Sequence, residues 1–98
     1  MFDIGIGEGG IVLFRGRLDT AQADTARAYV SDNPDVAIFD FAELEYISSA
    51  GLGVLLLVHK RQMRSGAALK LINVNKHIKD VFHYSGFDKL FDIECSHD

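Results

Sequence analysis

The chain has 98 residues, enough for one domain but too few for two hydrophobic cores of ordinary size, so we predict a single domain over residues 1–98. Hydrophobic residues make up 48% and charged residues 24%, a balance that argues against a disordered chain. The formal net charge is −4 and the basic residues are scattered, which argues against a direct nucleic-acid partner.

The first third of the chain predicts a β-hairpin followed by a helix. Apolar, largely β-branched segments at 4–6 and 11–14 flank the glycine-rich segment 7–10, which suits a tight turn. Asp19 can cap the helix that follows, and the Asn-Pro pair at 33–34 is expected to end it.

The middle third predicts a buried strand and a second helix. Residues 36–41 form an apolar run, expected to be the central strand and to be covered on both faces, with Asp40 at its end. The helix is expected to begin near Ser48, a good N-cap, and to reach about Arg64, before Gly66. Its predicted apolar face contains Leu52, Leu55, Leu56 and Met63.

The last third predicts a strand, a helix, a short turn and a final strand. The strand covers 67–74, Asn75 caps the helix, and Gly86 ends it. Residues 87–90 form the turn, apolar and acidic residues alternate over 91–95 as in a strand with one wet face, and residues 96–98 are expected to fray.

The resulting order, β-β-α-β-α-β-α-β, predicts an α/β fold. The sheet is expected to be mixed but mostly parallel, with four or five strands, an N-terminal hairpin and three or four helices. Loops that follow parallel strands meet at one edge of a sheet. Asp19, the segment 40–49 and residues 73–75 are therefore expected to share that edge.

No motif of catalysis, metal binding or membrane insertion is evident. The GxGxxG pattern at 5–10 precedes a strand-like run, whereas a dinucleotide site needs a helix there. The four histidines lack HExxH spacing and the single cysteine, Cys95, offers no metal-binding pair, so we expect no metal, no cofactor and no enzyme. The lone cysteine and an apolar run of only five residues, 54–58, favour a cytoplasmic protein without membrane insertion.

The segment from Asp40 to Leu55 resembles the signature of STAS domains. That signature reads Asp-Leu, a short loop, an apolar pair, Asp or Ser, Ser, a small residue, Gly-Leu and an apolar helix. The segment 16–19, Gly-Arg-Leu-Asp, is similar to the family's Gly-x-Leu-Asp, and 85–91 is similar to its C-terminal segment. These three landmarks occur in the family's order and cover nearly the whole chain.

The resemblance implies an anti-sigma factor antagonist, also called an anti-anti-sigma factor. In that family the protein docks on an anti-sigma factor that is a serine kinase, phosphorylation at the start of the second helix blocks docking, and a cognate phosphatase restores it. The expected partner-binding residues are Asp19, Ser48, Ser49, Ala50, Gly51 and Gly53. Asp40 is expected to give structural support by fixing the serine-bearing turn.

One departure from the family pattern leaves two alternatives open. Ala50 stands where the family has its hydroxyl, directly before Gly51. Either the phosphoacceptor is Ser49, with Ser48 as the alternative, or the module is not phosphorylated and is a permanent STAS subunit of a larger complex, such as a transporter ATPase assembly. Ser48 is also expected to act simply as the N-cap.

Overall fold

The elements of the fold follow the predicted order. They are seen in a computed structural model that describes residues 1–36, 38–66 and 69–95. The strands are β1 (Phe2–Ile6), β2 (Val12–Leu18), β3 (Ile38–Ile47), β4 (Lys70–Val74) and β5 (Asp92–Cys95). The helices are α1 (Ala23–Asp32), α2 (Ser49–Arg64) and α3 (Lys76–Ser85), with 3-10 turns at Glu8–Gly10, Thr20–Gln22 and Phe87–Lys89.

The five strands form one sheet in the order β1-β2-β3-β4-β5. β1 and β2 are antiparallel, while β2, β3, β4 and β5 run parallel to their neighbours. The predicted α/β fold class, the N-terminal hairpin and the central position of β3 are therefore confirmed.

The hairpin depends on a glycine that the sequence places inside β2. Gly16 pairs with Phe2 and has a φ of +82°, a conformation that residues with side chains rarely adopt. A Cβ atom at Gly16 would lie 2.1 Å from the carbonyl oxygen of Met1, which accepts a 2.8 Å hydrogen bond from the Arg17 amide. Only glycine therefore allows β1 to approach β2 this closely.

All three helices cover the same face of the sheet. Phe41 of β3 contacts Phe14 of β2 with ring centroids 5.0 Å apart, and α3 adds Phe82 at 6.3 Å from Phe41. The other face is partly exposed and mixes apolar with polar residues, and there Arg15 of β2 pairs with Glu43 of β3 at 3.1 Å. The prediction that β3 is covered on both faces is wrong, since Ile38 keeps 36% of its surface exposed.

β3 is longer than predicted because two bulges disturb its alternation. Between the pairs Leu13–Asp40 and Arg15–Glu43, β3 has one more residue than β2, and the same happens between Gly16–Leu44 and Arg17–Tyr46. Each bulge leaves two successive residues away from the core, which looks like a polar loop in the sequence. The prediction that the strand ends at Asp40 is therefore wrong.

α2 has the predicted bounds, and its predicted apolar face is confirmed in part, since Leu52 and Leu55 are buried. Met63 is 61% exposed and Leu56 only half-buried, so the prediction is wrong at these two positions. Apolar residues surround most of the first half of the helix, and packing against the sheet selects the inward side. The buried residues of α2 are Gly51, Leu52, Val54, Leu55, Val58, His59 and Gln62.

The C-terminal third agrees with prediction where it is described. Asn75 caps α3, Gly86 ends it with a φ of +79°, and a short turn leads into β5, which alternates between exposed and half-buried residues. The predicted start of the strand at 67 and the fraying of 96–98 lie outside the described residues. No helix in the described ranges combines the length and the apolar character needed to cross a membrane.

Candidate functional site

The carboxyl ends of β2, β3 and β4 lie at one edge of the sheet. Leu18 pairs with Ile47, and the Ser48 amide donates a 2.9 Å hydrogen bond to the Leu18 carbonyl oxygen. The Asn75 side-chain amide donates to the Leu44 carbonyl oxygen, also at 2.9 Å. The predicted shared edge is confirmed for Asp19, which follows Leu18, and for Ser48 and Asn75.

Each of these strand ends leads into a capped helical turn. The carboxylate of Asp19 accepts from the Gln22 amide at 3.1 Å, and the Ser48 hydroxyl accepts from the Gly51 amide at 3.1 Å. Ser48 is only 8% exposed. Its predicted capping role is confirmed, whereas its predicted place on an exposed partner-binding surface is wrong because the side chain lies beneath the first turn of α2.

Gly51 holds α2 against the ends of β2 and β3. A Cβ atom there would lie 2.8 Å from Cγ1 of Ile47 and 2.9 Å from Cγ of Leu18, closer than real Cβ atoms come. The glycine is therefore explained by close approach to neighbouring strands inside the domain. Gly51 is buried in the free domain, and its contact with a partner stays a prediction.

The outward side of the same turns presents a small, uncharged surface. Ser49 and Gly53 are exposed, Ala50 is half-buried, and Leu57 is 45% exposed. Ser49, Gly53 and Leu57 are spaced four residues apart, so they follow one another along one side of the helix. We call these four residues the Ser49 surface.

Gly53 differs from Gly51 in having nothing near it. Apart from its chain neighbours and the backbone of the adjacent helical turns, no atom of the described residues lies within 4 Å of a Cβ built at Gly53. Packing within the domain therefore gives no reason for a glycine at this position. Because glycine has no side chain, another molecule can approach the helix backbone closely at this position, which fits the prediction that Gly53 belongs to a binding surface.

The chemistry available to Ser49 is set by its position at the start of α2. The first turn contains no acidic residue, and the free amides of a helix N-terminus favour negative charge. Within the described ranges the Ser49 hydroxyl makes no hydrogen bond to a base that would activate it as a nucleophile. The Ser49 hydroxyl is therefore accessible from outside, and the helix N-terminus would stabilise a negative charge attached to it.

The two aspartates of the predicted site have different surroundings. Asp19 is half-buried beside the start of α2, as expected for a cap that also borders the Ser49 surface. Asp40 accepts from the Ala42 amide at 2.9 Å and from the Asn73 side chain at 3.2 Å, so it supports the first bulge of β3 and links it to β4. The prediction that Asp40 fixes the serine-bearing turn is wrong, because its partners lie elsewhere in the sheet.

Leu57 is the residue of this surface that sequence analysis did not single out. The apolar residues around it make it look like core, and only its spacing of four from Gly53 and eight from Ser49 indicates an outward position. Residues 1–36, 38–66 and 69–95 contain no group of three or more His, Cys, Asp or Glu side chains close enough to bind an ion.

Comparison with known proteins agrees with this geometry. A family model for the STAS domain matches residues 5–98. The chain belongs to the STAS domain family. It is 33% identical over 90 residues to BtrV of Bordetella bronchiseptica, a protein to which the role of anti-sigma factor antagonist is ascribed, with 88% of this chain and 78% of BtrV covered. The resemblance found in the sequence is thereby confirmed.

Solved structures share the fold at lower identity. A Thermotoga maritima protein ascribed the same role superposes with a TM-score of 0.78 at 22% identity, covering 95% of this chain and 85% of that one. The phosphorylated form of SpoIIAA, a Bacillus cell fate determinant, superposes with a TM-score of 0.66 at 23% identity, covering 95% and 90%. These likenesses establish the single-domain STAS architecture.

Proposed function

We propose that this STAS domain is an anti-sigma factor antagonist that binds an anti-sigma factor with serine kinase activity through the Ser49 surface. Phosphorylation of Ser49 by that kinase releases the partner, and a cognate phosphatase restores binding. The domain itself catalyses no reaction and acts in the cytoplasm as a regulator of transcription. The observation that carries the proposal is the exposed, unbonded Ser49 hydroxyl on the first turn of α2.

The relatives support this role. BtrV is described as an anti-sigma factor antagonist, and SpoIIAA, also described as one, has been solved both with and without phosphorylation. Both forms of SpoIIAA match this chain, so the shared fold is compatible with an added phosphate. A switch of this kind needs no refolding of the domain.

The physics of the site explains how one phosphate controls docking. A phosphoserine adds about 1.5 to 2 negative charges at neutral pH. The N-terminus of α2 stabilises that charge within the domain, because its amides have no intrahelical acceptors. The same charge would lie on the Ser49 surface itself, where a docked partner would have to desolvate it. The phosphate therefore stabilises the free domain and opposes the complex.

Exposure favours Ser49 as the acceptor over its neighbours. Ser48 is buried and its hydroxyl already accepts a hydrogen bond, while Ala50 has no hydroxyl and packs against the core. Moving an acceptor by one residue turns it by about 100° around a helix. At the start of α2 that rotation places Ser49 farther out than Ala50, so a kinase active site can reach it.

The test is to map phosphate on the protein. We would isolate the domain from its native cells, measure its intact mass, fragment it, and then repeat the reaction with the copurified kinase and Mg-ATP. We expect one phosphate group, located on Ser49, and none on the Ser49→Ala variant. The Ser31→Ala variant, which removes an exposed serine from α1, is the matched control and should still be phosphorylated.

Binding completes the test. Ser49→Asp should weaken binding to the anti-sigma factor at least tenfold, whereas Ser49→Ala should bind with unchanged affinity, as measured by calorimetry. Phosphate mapped to a residue outside the Ser49 surface, or full binding by Ser49→Asp, would disprove the proposed switch.

The absence of a hydroxyl at Ala50 favours one second candidate, a STAS subunit that is never phosphorylated. In that case the Ser49 surface packs permanently on a larger assembly, such as a transporter with an ATPase. Affinity purification separates the two candidates. A serine kinase recovered with the tagged domain supports the switch, and transport ATPase components support the permanent subunit.

A further inference from the structure

A cleft lies between α1 and the C-terminal half of α2, at the other end of α2 from Ser49. Its volume is about 230 Å³, and its lining consists of Ser31, Leu57, Lys60, Arg61 and Arg64. With a rise of about 1.5 Å per residue, Lys60 lies about 16 Å along the helix from Ser49. We call these lining residues the cationic cleft.

The charge of this cleft is opposite to that of the chain. Lys60, Arg61 and Arg64 supply three positive charges, α2 contains no acidic residue, and the net charge of the protein is −4. In the part of the chain that the structure describes, none of these three cations lies within ion-pair distance of a carboxylate. An uncompensated group of like charges attracts anionic ligands.

Besides its charge, Arg61 has hydrogen-bond donors that lack acceptors among the described residues. Its Nη1 donates a 2.8 Å hydrogen bond to the Val30 carbonyl oxygen near the end of α1. Its Nε and Nη2 are buried without a hydrogen-bond partner. These two nitrogens direct their hydrogens to the same side of the guanidinium group, which is the pair that binds a carboxylate with two parallel bonds. Capping of α1 therefore explains only one of the three nitrogens.

The size and walls of the cleft indicate what fills it. Its volume is below the roughly 300–1,000 Å³ of typical small-molecule sites, but it is large enough for one acidic side chain. Leu57, which is 45% exposed, adds an apolar wall that a simple inorganic anion would leave uncovered.

We propose that the cationic cleft binds a carboxylate side chain of an acidic segment of a partner protein, with an apolar residue of that segment against Leu57. Because Nε and Nη2 of Arg61 are covered in the free domain, the guanidinium turns toward the cleft as the carboxylate enters, and Lys60 and Arg64 approach the carboxylate from the rim. This contact goes beyond the Ser49 switch, because it requires no phosphorylation and its charged groups lie in the C-terminal half of α2; the two sites share only Leu57.

The test uses a capped peptide of four glutamates around one leucine, added to the ¹⁵N-labelled domain and followed by NMR. We expect shifts of the Leu57, Lys60 and Arg64 amides and of the Arg61 side-chain Nε. Arg61→Gln should weaken binding about tenfold, since charge-assisted hydrogen bonds are lost. Arg27→Gln, which removes an exposed arginine of α1, is the matched control and should change the affinity less than twofold.

Further variants keep the result independent of folding. Arg61→Gln also removes the hydrogen bond to the Val30 carbonyl oxygen and could therefore affect folding. We pair it with the double variant Lys60→Gln/Arg64→Gln, which leaves that bond in place. This double variant should weaken peptide binding at least threefold. A peptide with glutamines in place of the glutamates should bind at least tenfold more weakly. Shifts confined to other surfaces, equal effects of Arg61→Gln and Arg27→Gln, or displacement of the peptide by equimolar inorganic phosphate would overturn the proposal.

Discussion

Gly51 and Gly53 stand two residues apart in α2, yet they face opposite surroundings. Gly51 lies against Ile47 and Leu18, where a Cβ has no room, while a Cβ at Gly53 meets nothing within 4 Å. The inward side of these turns is thus fixed by packing, and the outward side is left open. The difference shows that one short sequence can hold a helix in place and present a surface without the two tasks sharing residues.

The largest effect that tests this comparison is expected from Gly51→Ala. The added methyl group must displace Ile47 or Leu18 in the core, and overpacking of this kind costs about 1–3 kcal/mol. Alanine regains about 1 kcal/mol through its better helix propensity. We expect the free energy of unfolding to fall by up to about 2 kcal/mol in urea denaturation followed by circular dichroism, and a rise would show that the contact is loose.

Ser48→Ala is expected to have a smaller effect on the same inward side. Loss of the hydroxyl leaves the Gly51 amide without its side-chain acceptor and lowers the free energy of unfolding by about 1 kcal/mol. Ser48→Thr keeps a hydroxyl and should recover most of the loss in the same urea experiment. If both variants are equally unstable, volume rather than capping determines stability at this position.

Gly53→Ala should give the smallest effect, and with the opposite sign. An alanine in the exposed part of a helix is more stable than glycine by about 0.5–1 kcal/mol, and nothing in the domain obstructs the methyl group. The midpoint of urea unfolding should therefore rise. The same variant should bind the anti-sigma factor more weakly, so a gain in both stability and affinity would contradict a close approach by the partner at Gly53.

Local chemistry made much of the fold predictable from the sequence. Asp19, Ser48 and Asn75 each accept a hydrogen bond from an amide three residues farther on, so the sequence alone identified these helix starts. Gly86 ended α3 for an equally local reason, its left-handed conformation. The exposure of Ser49 was expected from the resemblance to STAS domains, and the structure agrees.

What sequence analysis got wrong depended on contacts between distant segments. β3 looked finished at Asp40 because its bulges exist only in relation to the register of β2. The packing of Gly51 could not be foreseen, because the atoms that cover it, from Leu18 and Ile47, belong to two strand ends. Met63 looked buried because the sheet, rather than the hydrophobicity of α2, decides which side of that helix faces inward.

The paired bulges of β3 have a consequence for chain length. Each bulge takes up its extra residue locally, because two residues of β3 lie opposite one of β2 and the residues beyond return to the core face. Phe39, Leu44 and Ile47 therefore all point toward the helices although strict alternation is broken twice. Deleting the extra residue of one bulge would restore regular alternation there and leave Ile47 opposite Leu18, so this strand can be shortened at a bulge without turning its core face to water.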